Sequence, residues 1–213
     1  MICLTNQSAH VITFYGRAAE DYDKEYDIPY FKLLYDKITW HYIEPYLPAD
    51  GVVLDAGGGT GKWSIPMAER GLKVTLYDIS PDMLRVARRK IEERKLQNLI
   101  QTVEGDICEI DYPDSYFDFV LAEGDPISYC SDPRKAVKEL ARVLKPGSYI
   151  CAGVDSLFSA VRSAVMRQDL EEAFNILKEG KFYAKEWGFH CWAFTPESLR
   201  RLFEDANLNV VKV

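Results

Sequence analysis

Residues Val52-Val53-Leu54-Asp55-Ala56-Gly57-Gly58-Gly59-Thr60-Gly61-Lys62 constrain this chain more than any other stretch. An apolar, β-branched run ends in an acid and passes into a glycine-rich turn. The helical pattern of Trp63 to Gly71 follows. This order reads as a strand, a tight loop and a helix N-terminus, and glycines there let backbone approach a ligand more closely than side chains permit. The spacing narrows the ligand. Counted from Gly57, a dinucleotide fingerprint lacks its third glycine, because Lys62 stands there. A phosphate-binding loop ending at Gly61-Lys62 lacks both its first glycine, at Ala56, and its hydroxyl, at Trp63. The pattern that fits is D-x-G-x-G-x-G on Asp55, Gly57, Gly59 and Gly61.

Elsewhere the chain alternates strand and helix signals. Strands are expected at Val52–Ala56, Lys73–Asp78, Ile100–Glu104, Phe117–Ala122, Tyr149–Val154 and Leu208–Val213. Helices are expected at Lys62–Arg70, Pro81–Arg94, Pro133–Leu144 and from Thr195-Pro196-Glu197 to Asp205 or Ala206. Ser80 and Asp132 precede prolines as helix caps. Such alternation predicts an α/β fold with a mostly parallel, doubly wound sheet, whose ligands sit at the carboxyl ends of the strands. The division expected is a helical N-terminal cap segment over 1–48, a core over 49–155, an insertion over 156–192, and a returning helix and strand over 193–213. The N-terminal segment carries Phe14, Tyr15, Tyr22, Tyr26, Tyr30, Phe31 and Tyr35, and Ile28-Pro29 breaks it before a second helix over Tyr30–Tyr46. Within the insertion, 156–180 reads as one or two amphipathic helices and 181–192 as aromatic and irregular.

The 213 residues suit one such domain with an appended cap. A net charge of −7 disfavours a nucleic-acid partner. The basic run Arg85 to Lys95 carries Glu92 and Glu93 and reads as a solvated helix face. No run reaches the roughly 18 apolar residues of a membrane span, and no signal peptide is evident. Cys3, Cys108, Cys130, Cys151 and Cys191 are odd in number and lack a C-x-x-C pair, which points to reduced thiols and a cytoplasmic setting. No histidines are paired at helical spacing, so no metal site is expected.

Four segments in order resemble the class I S-adenosylmethionine-dependent methyltransferases: the glycine loop, Val74 to Ser80 with Asp78, Glu104-Gly105-Asp106-Ile107, and Arg142-Val143-Leu144-Lys145-Pro146-Gly147. They span about residues 50 to 155. Phe14 to Asp23 adds a likeness to the ubiquinone and menaquinone biosynthesis C-methyltransferases. The resemblance implies a Rossmann-like fold, S-adenosylmethionine as cofactor, S-adenosylhomocysteine as product, and direct in-line methyl transfer to a small-molecule acceptor. It implies that Asp78 accepts the ribose hydroxyls, that Asp106 meets the adenine amino group, and that Ile107 packs on the ring. It places Tyr15 and Tyr22 at the methionine end. The remaining implied cofactor contacts are Asp55, Ala56, Gly57, Gly58, Gly59, Gly61, Ile79, Met83 and Glu123.

That chemistry requires no fixed catalytic residue. Candidates are Glu123 and Asp125 after the fourth strand, and His190, a common base near neutral pH. Tyr129, Trp187, His190 and Trp192 are candidates for the acceptor pocket. The competing reading is a non-catalytic module that binds the cofactor and scaffolds or regulates a partner. A nicotinamide dehydrogenase suffers from the missing glycine. Gly124-Asp125-Pro126-Ile127 only brushes against the motif of the DNA amino-methylating enzymes. The family fold also has a seventh strand beside the fifth, whereas this chain stops at the strand read as the sixth: either it is cut short or the last strand is replaced, His10–Tyr15 being the one stretch to consider, and an absent strand leaves unpaired edges that keep association into homo-oligomers open.

Overall fold

The computed structural model describes residues 5–25 and 27–213, and at residues 25 and 31–33 the backbone alone. Cys3, Tyr26 and the Phe31 side chain therefore lie outside what is described. The sheet contains β1 (Val52–Ala56), β2 (Lys73–Asp78), β3 (Ile100–Glu104), β4 (Phe117–Ala122) and β5 (Leu144–Ala152). The order is β3-β2-β1-β4-β5, and all four pairings are parallel. The chain winds outward from β1 to β3, then crosses to β4 on the other side of β1. A crevice opens where that order reverses, at the carboxyl ends of β1 and β4.

Parallel strands are covered on both faces, so alternate residues serve different cores. Leu54, Val120 and Ala122 face a cluster completed by Val137, Leu140 and Val143. Val53, Phe119 and Leu121 face the opposite cluster, with Ile65, Met67, Leu84 and Ile91. Burying one such large apolar side chain contributes about 1.5–3 kcal/mol, which outweighs the weak local preferences of these short strands. The first of these layers holds α7 (Pro133–Val143), and the second holds α4 (Ser64–Glu69) and α5 (Pro81–Glu93). Ser80 Oγ accepts Met83 N–H at the start of α5, and Asp132 accepts from Arg134 and Lys135 at the start of α7. Both caps lie where the sequence places them.

Two helical stretches precede the sheet. The first is α1 (Asn6–Ala18), followed by the short α2 (Tyr22–Glu25). The second runs as a π turn over Tyr30–Tyr35, α3 (Asp36–Ile43) and a 3-10 turn over Glu44–Tyr46. After β4 comes α6 (Pro126–Tyr129), and after β5 come α8 (Leu157–Met166) and α9 (Leu170–Glu179). The last helix is α10 (Pro196–Glu204), opened by a capping box on Thr195 and Ser198.

Three expectations are corrected. Residues 181–192 are not irregular: β6 (Lys181–Ala184) and β7 (Phe189–Trp192) form an antiparallel hairpin. Phe189 and Cys191 turn inward while Tyr183 and His190 face out, which is strand alternation hidden in a short segment. Second, the fifth strand begins at Leu144 rather than Tyr149, with an irregularity opposite Phe117 and Phe119 that absorbs Pro146 and Gly147. Third, Leu208–Val213 is not a strand. A β-branched segment needs a neighbouring ladder, and a groove lined by β5 and by residues 208–213 separates the two. The tail is held instead by Arg200, which donates to the Val210 carbonyl at 3.2 Å. Among the described residues, β5 is left as an edge strand.

Candidate active site

The crevice holds a narrow cavity lined by the glycine turn, the ends of β2 and β3, α1 and α6. The turn is shaped by backbone needs. Gly57 has φ +77°, and a Cβ there would stand 2.5 Å from Pro126 Cβ. Gly59 has φ +52° and faces Met83. The turn is anchored to β2, because the N–H groups of Gly57 and Gly58 donate to the Tyr77 carbonyl at 2.7 and 3.3 Å.

Three acids sit at three successive strand ends. Asp55 is fully buried, and its Oδ2 accepts from Ser64 Oγ at 2.5 Å. Its Oδ1 has no hydrogen-bond partner among the described residues. Burial, only partly offset by Ser64, pushes its pKa up to about 7. Asp78 Oδ2 accepts the Gly59 N–H at 2.8 Å, and Oδ1 accepts the Ser80 N–H at 2.8 Å. Burial raises this carboxyl to about 6, against the opposing pull of those backbone donors. Asp106 accepts Cys108 N–H on Oδ1 at 2.8 Å and Ser8 Oγ on Oδ2 at 3.1 Å.

The cavity brings together Tyr15, Tyr22, Gly57, Gly59, Asp78, Ile79, Met83, Asp106, Ile107 and Tyr129. Asp55, Ala56, Gly58 and Gly61 lie behind its wall: Gly58 backs onto Asp55 Oδ2, and Gly61 packs toward Leu76. Ser8, Val11, Gly105, Gly124, Pro126 and Cys130 also line it and were not anticipated. Ser8, Val11 and Tyr15 fall on one face of α1 at i, i+3 and i+7, a helical signal that the aromatic count starting at Phe14 missed.

The other candidates separate. Glu123 is turned away, toward Tyr35 Oη, which donates to it at 2.6 Å. Burial raises its pKa. His190 is not at the cavity: its ring is exposed on β7, 5.0 Å from the Tyr183 ring. Gln7 on α1 binds the His190 main chain, donating to its carbonyl. Trp192 lies under Lys181 and does not reach the cavity either. Trp187 does join an aromatic wall, 5.7 Å from Tyr129 and 5.8 Å from both Phe14 and Phe189.

Behind Tyr129 stands an acid pair. Asp125 adopts a left-handed conformation with φ 65° at the start of α6. Burial first, then the charges of Asp155 and Glu123, push it up to about 7, while a hydrogen bond with Tyr129 opposes the shift. Asp155, after β5, is raised to about 6 by burial, and its Oδ2 has no hydrogen-bond partner among the described residues. Ser128 Oγ accepts the Asp155 N–H at 2.8 Å and so ties the two loops together.

These features fit a nucleoside with a charged amino-acid tail. Asp78 and Asp106 line the cavity, and the turn leaves at Gly57 and Gly59 a cradle that a Cβ would fill. No group of three or more potential metal ligands occurs among the described residues. No helix among them is long and apolar enough to cross a membrane.

The sequence matches the family model of the methyltransferase domain over residues 53–147. The demethylmenaquinone methyltransferase of Listeria welshimeri is 34% identical over 172 residues, covering 75% of this chain and 71% of that protein. The ubiquinone/menaquinone biosynthesis C-methyltransferase UbiE of Vibrio vulnificus is 39% identical over 103 residues, covering 45% of this chain and 37% of that protein. The crystal structure of an S-adenosylmethionine-dependent methyltransferase from Methanosarcina mazei superposes with a TM-score of 0.66 at 30% identity, over 78% of this chain and 82% of that one.

Proposed function

Since this chain belongs to the S-adenosylmethionine-dependent methyltransferases, we propose that it moves the methyl group to a small molecule with a flat, apolar body and an acidic O–H or N–H group whose deprotonation activates that atom or an adjacent ring carbon as nucleophile. The observation that carries this reading is the position of Tyr129. It lines the cavity and stands against the aromatic wall of Tyr15, Trp187 and Phe189, on the short helix α6 that Asp125 opens. The demethylmenaquinone relatives are named for an acceptor of that general shape. The chain's net charge of −7 supports a small molecule over nucleic acid, and the free cysteines at 108, 130, 151 and 191 suit the cytoplasm.

The residues divide the work as follows. Asp78 holds the ribose hydroxyls, Asp106 and Ile107 hold the adenine, and the backbone of Gly57 and Gly59 sets the close floor. Tyr15 and Tyr22 take the amino-acid end, and Asp55 supports the turn from behind the wall. When bound, S-adenosylmethionine supplies an electrophilic methyl group on a sulfonium. The protein's larger contribution is placement, which is worth roughly 7–11 kcal/mol when reactants are well oriented. Burial holds the Tyr129 hydroxyl protonated, so it serves to orient the acceptor, while Asp125 nearby, with a pKa of about 7, is the group suited to hold the acceptor's proton transiently.

The cavity now encloses about 80 Å³, below the roughly 300–1,000 Å³ of small-molecule sites. Ser8, Val11 and Tyr15 of α1 form one wall of it. We propose that α1 lifts to admit the cofactor, because side-chain hydrogen bonds tie it to the site: Ser8 to Asp106, and Gln7 to Tyr129 and His190.

The test is S-adenosylhomocysteine formation from S-adenosylmethionine with a short-chain demethylmenaquinol as probe, followed by a panel of phenols and amines. Acceptor-dependent product supports the reading. Cofactor binding without turnover on any acceptor favours a scaffolding role.

A further inference from the structure

A helix that precedes the sheet brings one hydroxyl to the adenine end of the cavity. Ser8 on α1 is 4% exposed and lines the cavity, as Asp106 and Ile107 do. Its Oγ stands 3.1 Å from Asp106 Oδ2 and donates to it, since a carboxylate only accepts. A second hydroxyl fixes that direction. Thr5, the N-cap of α1, accepts the Ser8 N–H at 3.1 Å, and its Oγ1 lies 2.9 Å from Ser8 Oγ. Ser8 has one hydroxyl proton and gives it to Asp106, so Thr5 supplies the proton in the Thr5–Ser8 contact. The donors run from Thr5 to Ser8 to Asp106. The other oxygen of Asp106 is engaged as well: Oδ1 accepts the Cys108 N–H at 2.8 Å.

We propose that Ser8 sets the nucleobase specificity of the site, by clamping Asp106 so that the carboxylate takes the exocyclic amino group of adenine and cannot turn to a ring N–H instead. The proposal rests on the reading of this cavity as the cofactor site, with Asp106 at the adenine. A carboxylate has about four lone-pair sites, and an untethered one turns to whichever donor a base offers. Asp106 has a donor on each oxygen, one from its own loop and one from a helix 98 positions away, so its orientation is fixed. Hypoxanthine differs from adenine at this edge in two ways: a carbonyl replaces the amino group, and the neighbouring ring nitrogen gains a hydrogen. A carboxylate free to turn accepts that N–H and binds both bases. A clamped one meets the carbonyl oxygen, acceptor against acceptor, and rejects the second base. A site built around a hydrogen bond rejects an analogue lacking the donor far more strongly than an apolar pocket does.

Ser8 is thus a positioning residue that acts through Asp106. The same hydrogen bond ties α1 to the site, and the two roles differ in their effect. A tether acts on every ligand alike. A clamp on Asp106 acts on the ratio between adenine and hypoxanthine.

The test titrates the full chain, wild type and Ser8→Ala, with S-adenosylhomocysteine and with its deaminated analogue S-inosylhomocysteine in a calorimeter, and reads the ratio of the two affinities. Wild type prefers the adenine ligand by about a hundredfold or more. Ser8→Ala lowers that ratio by about tenfold, through a gain for the inosine ligand relative to the adenine one. Ser8→Cys, which keeps the bulk but donates weakly, lowers it likewise and serves where alanine unsettles α1. Thr5→Ser, which retains both the cap and the hydroxyl, leaves the ratio unchanged. A ratio that stays at the wild-type value in both Ser8 variants, with the two affinities unchanged or lowered together, overturns the inference and leaves Ser8 as a tether of α1. A wild-type chain that binds both ligands equally also overturns it, with the cofactor site left standing. Failure of the wild type to bind either ligand would instead overturn the assignment of the cofactor site on which this rests.

Discussion

Asp78 Oδ2 accepts the backbone N–H of Gly59 at 2.8 Å, so the acid that ends β2 also pins the glycine turn that follows β1. One carboxylate thereby shapes the floor of the cavity proposed for the cofactor and lines it as well. Burial lifts its pKa to about 6.

This arrangement ties affinity to pH. Ribose hydroxyls donate to the ionised carboxylate and favour that form. Binding of S-adenosylhomocysteine should therefore strengthen as pH rises through about 6 and level off above it, with proton release on binding below the plateau. Hydrogen bonds to a charged group contribute about 1.5–3 kcal/mol, so Asp78→Asn should weaken binding by about tenfold or more and flatten the pH curve. Calorimetry in buffers of differing ionisation enthalpy checks both. An unchanged pH curve in the variant would remove Asp78 from the site.

Asp55 governs stability with the opposite slope. Its folded pKa of about 7 lies above the ordinary 3.8, so between those values the folded chain binds more protons than the unfolded one. Stability then falls as pH rises from about 4 to about 7 and is flat beyond. Asp55→Asn should flatten that dependence. Ser64→Ala, which leaves the second carboxylate oxygen without its partner, should cost about 1–3 kcal/mol. Urea unfolding at several pH values reads both effects, and stability that climbs over this range would contradict the assignment.

Gly57 and Gly71 separate strain from contact. Both have positive φ, +77° and +94°, but only at Gly57 would a Cβ strike another residue, Pro126, while Gly71 has open space. Gly71→Ala should lose about 1–3 kcal/mol through backbone strain alone. Gly57→Ala should lose more and weaken S-adenosylhomocysteine binding as well. Equal losses in chemical denaturation, with binding intact, would show that Pro126 gives way freely.

Asp125 is expected to act on turnover and not on cofactor binding. Its carboxyl is poised at about 7, so the rate should rise through neutral pH as the base form appears. Asp125→Asn should lower kcat by about a hundredfold, abolish that rise, and leave S-adenosylhomocysteine affinity unchanged. A parallel loss of affinity would mean that Asp125 serves only to hold α6 in place.

Much of this architecture was legible because local and global signals agree. Val53 and Leu54 read as a buried strand, Ser80-Pro81 and Asp132-Pro133 read as helix starts, and the acids at 55, 78 and 106 fall at consecutive strand ends. The misses have one cause, namely that the deciding partner is remote in sequence. Val210, Val211 and Val213 have strand propensity but no ladder beside them. The hairpin of Phe182 and Phe189 is only four residues long on each side, too short for its alternation to stand out. His190 drew attention by residue type, yet the inward turn of Phe189 and Cys191 forces its ring outward. Ser8 looked like an unremarkable polar residue until α1 laid it 3.1 Å from Asp106, 98 positions away.

The most direct test of the central claim is a calorimetric titration of the reduced chain with S-adenosylhomocysteine, run beside NADH, with Asp78→Ala as comparison. The expected result is saturable one-to-one binding of S-adenosylhomocysteine, none of NADH, and loss of most of the affinity in the variant. A folded wild-type chain that binds no S-adenosylhomocysteine, or a variant that binds it as well as the wild type, would contradict it.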